Sequence, residues 1–254
     1  MKIVKKIGKL LLITLFWVGV WMLVANRIGK PLLFPYPKDV LLRLWELMQT
    51  EDFYRITATS LGNVFTGILI AVRLGVVLSI ITSRVSLLRE LILPAMTVIK
   101  ATPVASFIVL AMILIGSAKI PTFITLLIVL PVVWTNLDEG FLKIDPKLSE
   151  VTRVYKMPFF RRLRVLILPS LKPYFVSACR SSIGLAWKAG VAAEIIAMPK
   201  NTIGTMIGEA KLYIESATMF AWTLTVILLS LVIEFLFTRL LGRLVKTQEA
   251  REVS

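Results

Sequence analysis

The chain has 254 residues, 57% of them apolar, and its 30 Lys and Arg exceed its 15 Asp and Glu to give a formal charge of +15. Several long stretches are nearly free of charge, as membrane-spanning helices require, so the positive surplus is read by its position along the chain and not as a nucleic-acid signature. The lack of His and a single Cys, Cys179, exclude disulfide frameworks, His-based catalysis and the usual zinc sites; no Gly-x-x-x-x-Gly-Lys-Ser/Thr loop is present, so any use of ATP comes from another chain.

About six spanning helices are predicted, over roughly residues 10–26, 58–82, 91–116, 120–139, 171–196 and 217–239. No internal repeat or low-complexity tract divides the chain. It reads as one transmembrane domain over 1–254, with a tail and anchor helix at 1–30, a core at 58–240 and a charged loop at 145–169. The first apolar run follows Lys2, Lys5, Lys6 and Lys9. It is expected to be a retained anchor, since it carries Trp17 and Trp21 and lacks the small-x-small pattern of a cleaved leader. Pro31 to Pro37 then reads as irregular. Asp39 to Gln49 reads as a short amphipathic helix with Val40, Leu44 and Leu47 on one face, lying at the lipid headgroups.

Within the third span Pro103 breaks the helical pattern, with Thr102 and Ser106 beside it to satisfy freed backbone groups. A kink there would shape a path across the membrane or serve packing. After the fourth span comes the most informative stretch. Between Asp145 and Tyr155 the apolar residues Leu148, Val151 and Tyr155 recur at three and four residues, placing them on one face of a short helix suited to a groove on another protein. Asp145 or Ser149 starts this helix, and Pro158 fits the first turn of a second one running into Arg161, Arg162 and Arg164.

The fifth span carries Arg180, Lys188 and Glu194, and Arg73 and Lys100 lie in or near earlier spans. A charge at mid-membrane costs about 2.5–3.5 kcal/mol on insertion scales, so these side chains are expected to face protein, water or headgroups. Trp187, Lys188 and Glu194 are candidate path-lining residues, and a lysine there suits an anionic solute. The alternatives are a lysine paired with another helix and a glutamate that anchors a loop. Met198 to Gly208 reads as a re-entrant or surface segment on the outer side, and Glu234 in the sixth span is expected to face the bundle.

The basic residues favour one side. Lys143, Lys147, Arg153, Lys156, Arg161, Arg162, Arg164 and Lys172 flank the charged loop, and Arg84, Arg89 and the two ends of the chain add to the same side. The positive-inside rule therefore predicts a cytosolic loop and cytosolic termini in a multi-pass membrane protein.

The charged loop resembles the EAA loop of ABC importer permeases, whose pattern is Glu-Ala-Ala, three residues, Gly, nine residues, then Ile-x-Leu-Pro. Glu150, Leu166, Leu168 and Pro169 fall in register, Val151 and Thr152 stand in the Ala places, and Lys156 replaces the Gly. Phe34-Pro35-Tyr36-Pro37, Thr59-Ser60-Leu61, Lys100-Ala101-Thr102-Pro103 and Ala186 to Glu194 are similar to the nitrate, taurine and aliphatic sulfonate class, which also has bicarbonate and thiamine-precursor relatives. The resemblance implies an all-α type I importer permease fold. It implies a homodimer or a heterodimer with a related permease, two ATPase subunits that bind ATP and Mg, and an extracytoplasmic binding protein. The permease itself would do no bond chemistry. Leu148, Glu150, Val151, Thr152, Tyr155, Lys156, Leu168 and Pro169 would then couple to the ATPase, and the non-Gly Lys156 suggests a turn built differently from the family's. Thr102, Pro103, Ser106, Trp187, Lys188 and Glu194 are the candidates for the path. A channel or a secondary transporter not driven by ATP is the competing class, although no repeat pair or paired intramembrane acids support it.

Overall fold

The computed structural model describes the backbone of residues 2–252 and the side chains of residues 8, 9 and 11–240, which are mostly helical with no strand among them. The basic side chains of Lys2, Lys5, Lys6 and those from Arg243 to Arg251 lie outside the described set. In chain order the helices are α1 (Lys2–Ile28), α2 (Pro37–Met48), α3 (Glu51–Thr82), α4 (Ser86–Ala101), α5 (Val104–Ile115), α6 (Ile120–Leu142), α7 (Pro146–Val154), α8 (Phe159–Arg162), α9 (Leu168–Ala197), α10 (Ile203–Leu212) and α11 (Ser216–Glu252). A π-helical turn, Leu163–Ile167, joins α8 to α9.

Helix starts follow local chemistry. Thr50 caps α3 by accepting from the Phe53 N–H, and Glu51 and Asp52 in its first turn complement the helix dipole. The core is the set α3, α6 and α9, with α6 packed extensively against both others. Small residues let the backbones approach: a Cβ on Gly67 of α3 would lie 2.6 Å from the Thr122 carbonyl oxygen of α6. Trp134, Trp187 and Trp222 are among the largest fully buried side chains, and each of the first two anchors its indole N–H, Trp134 on Thr82 Oγ1 and Trp187 on the Val226 carbonyl.

Among the described residues four segments are long and apolar enough to cross a membrane: Leu11–Ile28, Glu51–Thr82, Ser117–Leu142 and Ser216–Leu240. The third predicted span is broken instead of continuous. Helices α4 and α5 meet at 105°, making a fifth crossing if the pair is one span. The cause lies in Thr102-Pro103: the residue before proline is driven to extended backbone, here φ −79° and ψ 133°, and α5 restarts after Pro103. The predicted fifth span is α9, whose 30 residues would span about 45 Å. It carries Lys172, Arg180, Lys188 and Glu194, and it gains cover from α3, α5, α6, α10 and α11.

Helix α2 begins two residues earlier than expected and packs against α11 and α3, burying Val40 and Leu44 completely or nearly so. It is bound to the bundle on that face, while Leu41, Leu42 and Trp45 remain exposed. Trp21 of α1 packs against Phe34 and Phe220 and donates to the Pro35 carbonyl at 3.1 Å, which ties the amino-terminal helix to the same end.

Candidate functional site

At the end of the bundle where α6 passes into α9, the charged loop folds as two short helices. Asp145 caps α7, its carboxylate accepting from the Lys147 N–H at 2.8 Å. Leu148, Val151 and Tyr155 are exposed by 52%, 45% and 75%, so the apolar face predicted for this helix is uncovered. Glu150 is exposed beside them, and Leu168 is exposed at the start of α9 with Pro169 half-buried. Thr152 is the exception among the predicted residues. It is buried, and its hydroxyl donates to the Ser149 carbonyl at 2.7 Å, so it holds the helix and does not present a surface.

Lys156 takes φ 46°, the left-handed conformation that glycine favours. Its N–H bonds to the Arg153 carbonyl and the Met157 N–H to the Thr152 carbonyl, both at 3.0 Å, which is a Schellman ending. The expectation of a differently built turn is therefore corrected: the lysine adopts the turn that a glycine would. Pro158 caps α8 from outside it, and Arg162 Nη2 donates to Ser149 Oγ at 3.0 Å to brace α8 on α7. Val154 and Phe160, exposed by 77% and 81%, extend the apolar surface and were not singled out in the sequence. The doubled aromatic Phe159-Phe160 after a proline was the available signal.

At the opposite end, Glu194 is fully buried. Its Oε2 accepts from Ser60 Oγ of α3 at 2.8 Å and from the Gly204 N–H at 3.1 Å, and Ser60 Oγ in turn accepts from the Ile203 N–H at 2.9 Å. One carboxylate thus satisfies the first turn of α10 and joins it to α3 and α9. Of the readings open for Glu194, the loop anchor matches this geometry, and its side chain does not face an opening. Trp187, two turns away on the same face of α9, is likewise buried against α11.

Lys188 points elsewhere. It is exposed and lines a cavity of about 310 Å³ between α9 and α11, together with Arg180, Ser181 and Glu234. The Glu234 carboxylate lies close over Gly184, so Glu234 faces α9 as expected. Thr102, Pro103 and Ser106 sit at the α4–α5 break; Pro103 and Ser106 are exposed, and the Thr102 hydroxyl bonds back to the Val98 carbonyl at 2.7 Å. The six path candidates therefore fall in three places, and that cavity takes only Lys188 from the set. Lys100 bonds Thr135 Oγ1 of α6 at 2.7 Å. Among the described residues no group of three or more His, Cys, Asp or Glu could hold a metal ion.

Residues 56–246 match the family described as the binding-protein-dependent transport system inner membrane component, and the chain belongs to that family. It is 26% identical over 235 residues to a probable ABC transporter permease protein of Brucella abortus, covering 91% of this chain and 92% of that one. It is 25% identical to the putative aliphatic sulfonates transport permease protein SsuC of Bacillus subtilis, over 80% of this chain and 74% of the relative. With the nitrate import permease protein NrtB of Synechococcus elongatus it shares 24% identity over 76% and 73%. The protein is thus a multi-pass, all-α membrane component of ABC-type import.

Proposed function

We propose that this chain forms the translocation path of an ATP-driven importer and receives the stroke of a separate ATPase through α7. The observation that carries this reading is the apolar face Leu148–Val151–Tyr155, left open on a helix that is capped by Asp145, closed by the left-handed Lys156 and braced by Arg162. A rigid helix with an uncovered apolar face fits a groove in a partner, and its attachment to α9 gives that partner a lever on the bundle. Glu150, Leu168 and Pro169 flank the contact. ATP and Mg bind to the partner, two copies of which face two permeases, with an extracytoplasmic protein delivering solute. The loop and both termini lie on the cytosolic side.

The solute is a small anion, of the sulfonate, taurine or nitrate type. Arg180 and Lys188 supply two positive charges against the one of Glu234 at the α9–α11 cavity, and the named relatives that import sulfonates and nitrate both handle anions. Thr102, Pro103 and Ser106 line the path at the α4–α5 break, while Trp187 and Glu194 hold its wall. Purification of the complex in mild detergent, with mass spectrometry of co-purifying chains, tests the reading. A stoichiometric subunit with a phosphate-binding loop is expected. A homogeneous complex without one, from membranes whose other importers survive intact, would point to a channel or secondary transporter. Lys188→Ala is expected to reduce uptake with assembly retained; equal loss of assembled complex would make the lysine structural.

A further inference from the structure

We propose that the cavity between the α7–α8 loop and the facing ends of α3, α4 and α6 is a binding site for a phosphate group, carried by a lipid headgroup or free in solution, which braces the loop on the bundle. The inference goes beyond the importer reading and rests on this chain alone. The cavity measures about 930 Å³ and is lined by three arginines, Arg84, Arg89 and Arg162, and one carboxylate, Asp138. Arg89 is already neutralised, its Nε lying 3.0 and 2.9 Å from the two Asp138 oxygens. The other two are not. The Arg84 guanidinium stacks over the Phe159 ring at 5.5 Å and makes no hydrogen bond or ion pair among the described residues. Arg162 spends one amino group on Ser149 Oγ, while its Nε is buried with no acceptor.

A third donor set faces the same space. Helix α4 starts at Ser86, which lines the cavity, and the residue in its cap position is Val85, whose side chain offers no acceptor. The amino end of this 16-residue helix has no side-chain cap and adds the positive end of its dipole. One free guanidinium, a second with a buried donor lacking any partner, and an uncapped helix end converge on one cavity. Guanidinium forks pair bidentately with phosphate oxygens, and an anion held here would bridge α4 to α8. Because Arg84 sits at the α3–α4 connection and Arg162 on the loop, occupancy would fix how the loop sits against the core.

The test uses the full chain, stripped of lipid in dodecyl maltoside, with amide exchange followed over residues 145–163. Inorganic phosphate is compared with chloride at equal ionic strength, and short-chain phosphatidylglycerol with phosphatidylcholine. Slowed exchange with inorganic phosphate is expected for a free ion, and slowed exchange with phosphatidylglycerol alone for a headgroup; either supports the site. Arg84→Gln and Arg162→Gln should each weaken half-saturation about tenfold, as loss of a charged hydrogen bond does. Arg153→Gln, on the exposed side of α7, should not. If Arg162→Gln disturbs the loop by losing Ser149, Arg84→Gln still decides. Exchange indifferent to both ligands, an equal response in Arg84→Gln and the parent, or protection that appears only with an ATPase subunit would overturn the proposal.

Discussion

At the carboxyl end of α9 a carboxylate is fully buried and shared among α3, α9 and α10, whereas the loop leading into the amino end of α9 leaves a row of apolar side chains uncovered. Both regions are short segments hung on the same 30-residue helix. One is closed by contacts within the chain: Glu194 Oε2 accepts from Ser60 and Gly204, Ser60 accepts from Ile203, and Thr202 caps α10 by accepting from the Thr205 N–H. The other is ordered by its own caps yet keeps its apolar face for something outside it. A segment that seals itself sets geometry, and a rigid segment with an open face is suited to a partner. Under the proposed coupling, the helix between them would carry motion from one end to the other.

The largest expected effect breaks the closed end. Glu194→Ala orphans the Ser60 hydroxyl and the Gly204 N–H in a buried site, where each lost partner costs about 1–3 kcal/mol. The midpoint of thermal unfolding in detergent should fall markedly, and Glu194→Gln, which keeps an acceptor oxygen, should recover part of the loss. Equal stability of the alanine variant and the parent would show that α10 is seated by other contacts. Gly204→Ala probes the same seat by crowding. Its Cβ would stand 2.3 Å from Glu194 Cβ and 2.5 Å from the Ile195 nitrogen, so α10 must lift, at about 1–3 kcal/mol for an overpacked site. Amide exchange in residues 203–212 should rise with little change at the loop.

Substitutions at the open end should reverse that pattern. Val151→Asp puts a charge on the uncovered face of α7 but touches nothing in the core, so stability should hold while affinity for the ATPase falls by about tenfold or more, the equivalent of about 1.4 kcal/mol or more. Glu150→Ala should do the same more weakly. Binding of the purified ATPase to the permease, measured alongside unfolding, separates the two ends. A variant that lost stability and docking together would collapse the distinction between a self-sealed and an open segment.

Much of this division was legible in the residues. The 3.6-residue spacing of Leu148, Val151 and Tyr155 gave an exposed helix face because local periodicity alone fixes it. The break at Thr102-Pro103 was placed correctly but underestimated, since proline chemistry predicts a disruption and the 105° angle depends on how α5 packs against α6 and α9. The partners of Glu194 were out of reach. Ser60 lies 134 positions away, and no periodic signal pairs a serine on one span with a glutamate on another. Thr152, in an Ala place of the loop motif, was read with the coupling residues, and its burial was not legible there. Lys156 was the reverse case: its residue type argued against a left-handed turn, and the backbone took that turn because two hydrogen bonds at the end of α7 require it.

The smallest effect sharpens the comparison at that lysine. A non-glycine residue in the left-handed region pays about 1–2 kcal/mol, and glycine's greater freedom in the unfolded chain returns part of that, so Lys156→Gly should stabilise the end of α7 by about 1 kcal/mol or less. The exposed lysine side chain has no bonding partner among the described residues, so little is lost with it. Slower exchange at the Lys156 and Met157 amides, whose acceptors are Arg153 and Thr152, would register the gain. If docking of the ATPase strengthens in step, α7 acts as a lever whose stiffness limits coupling. If exchange slows and docking stays constant, the affinity resides in the apolar face alone, and the strained turn is simply tolerated because the loop's other caps already hold it.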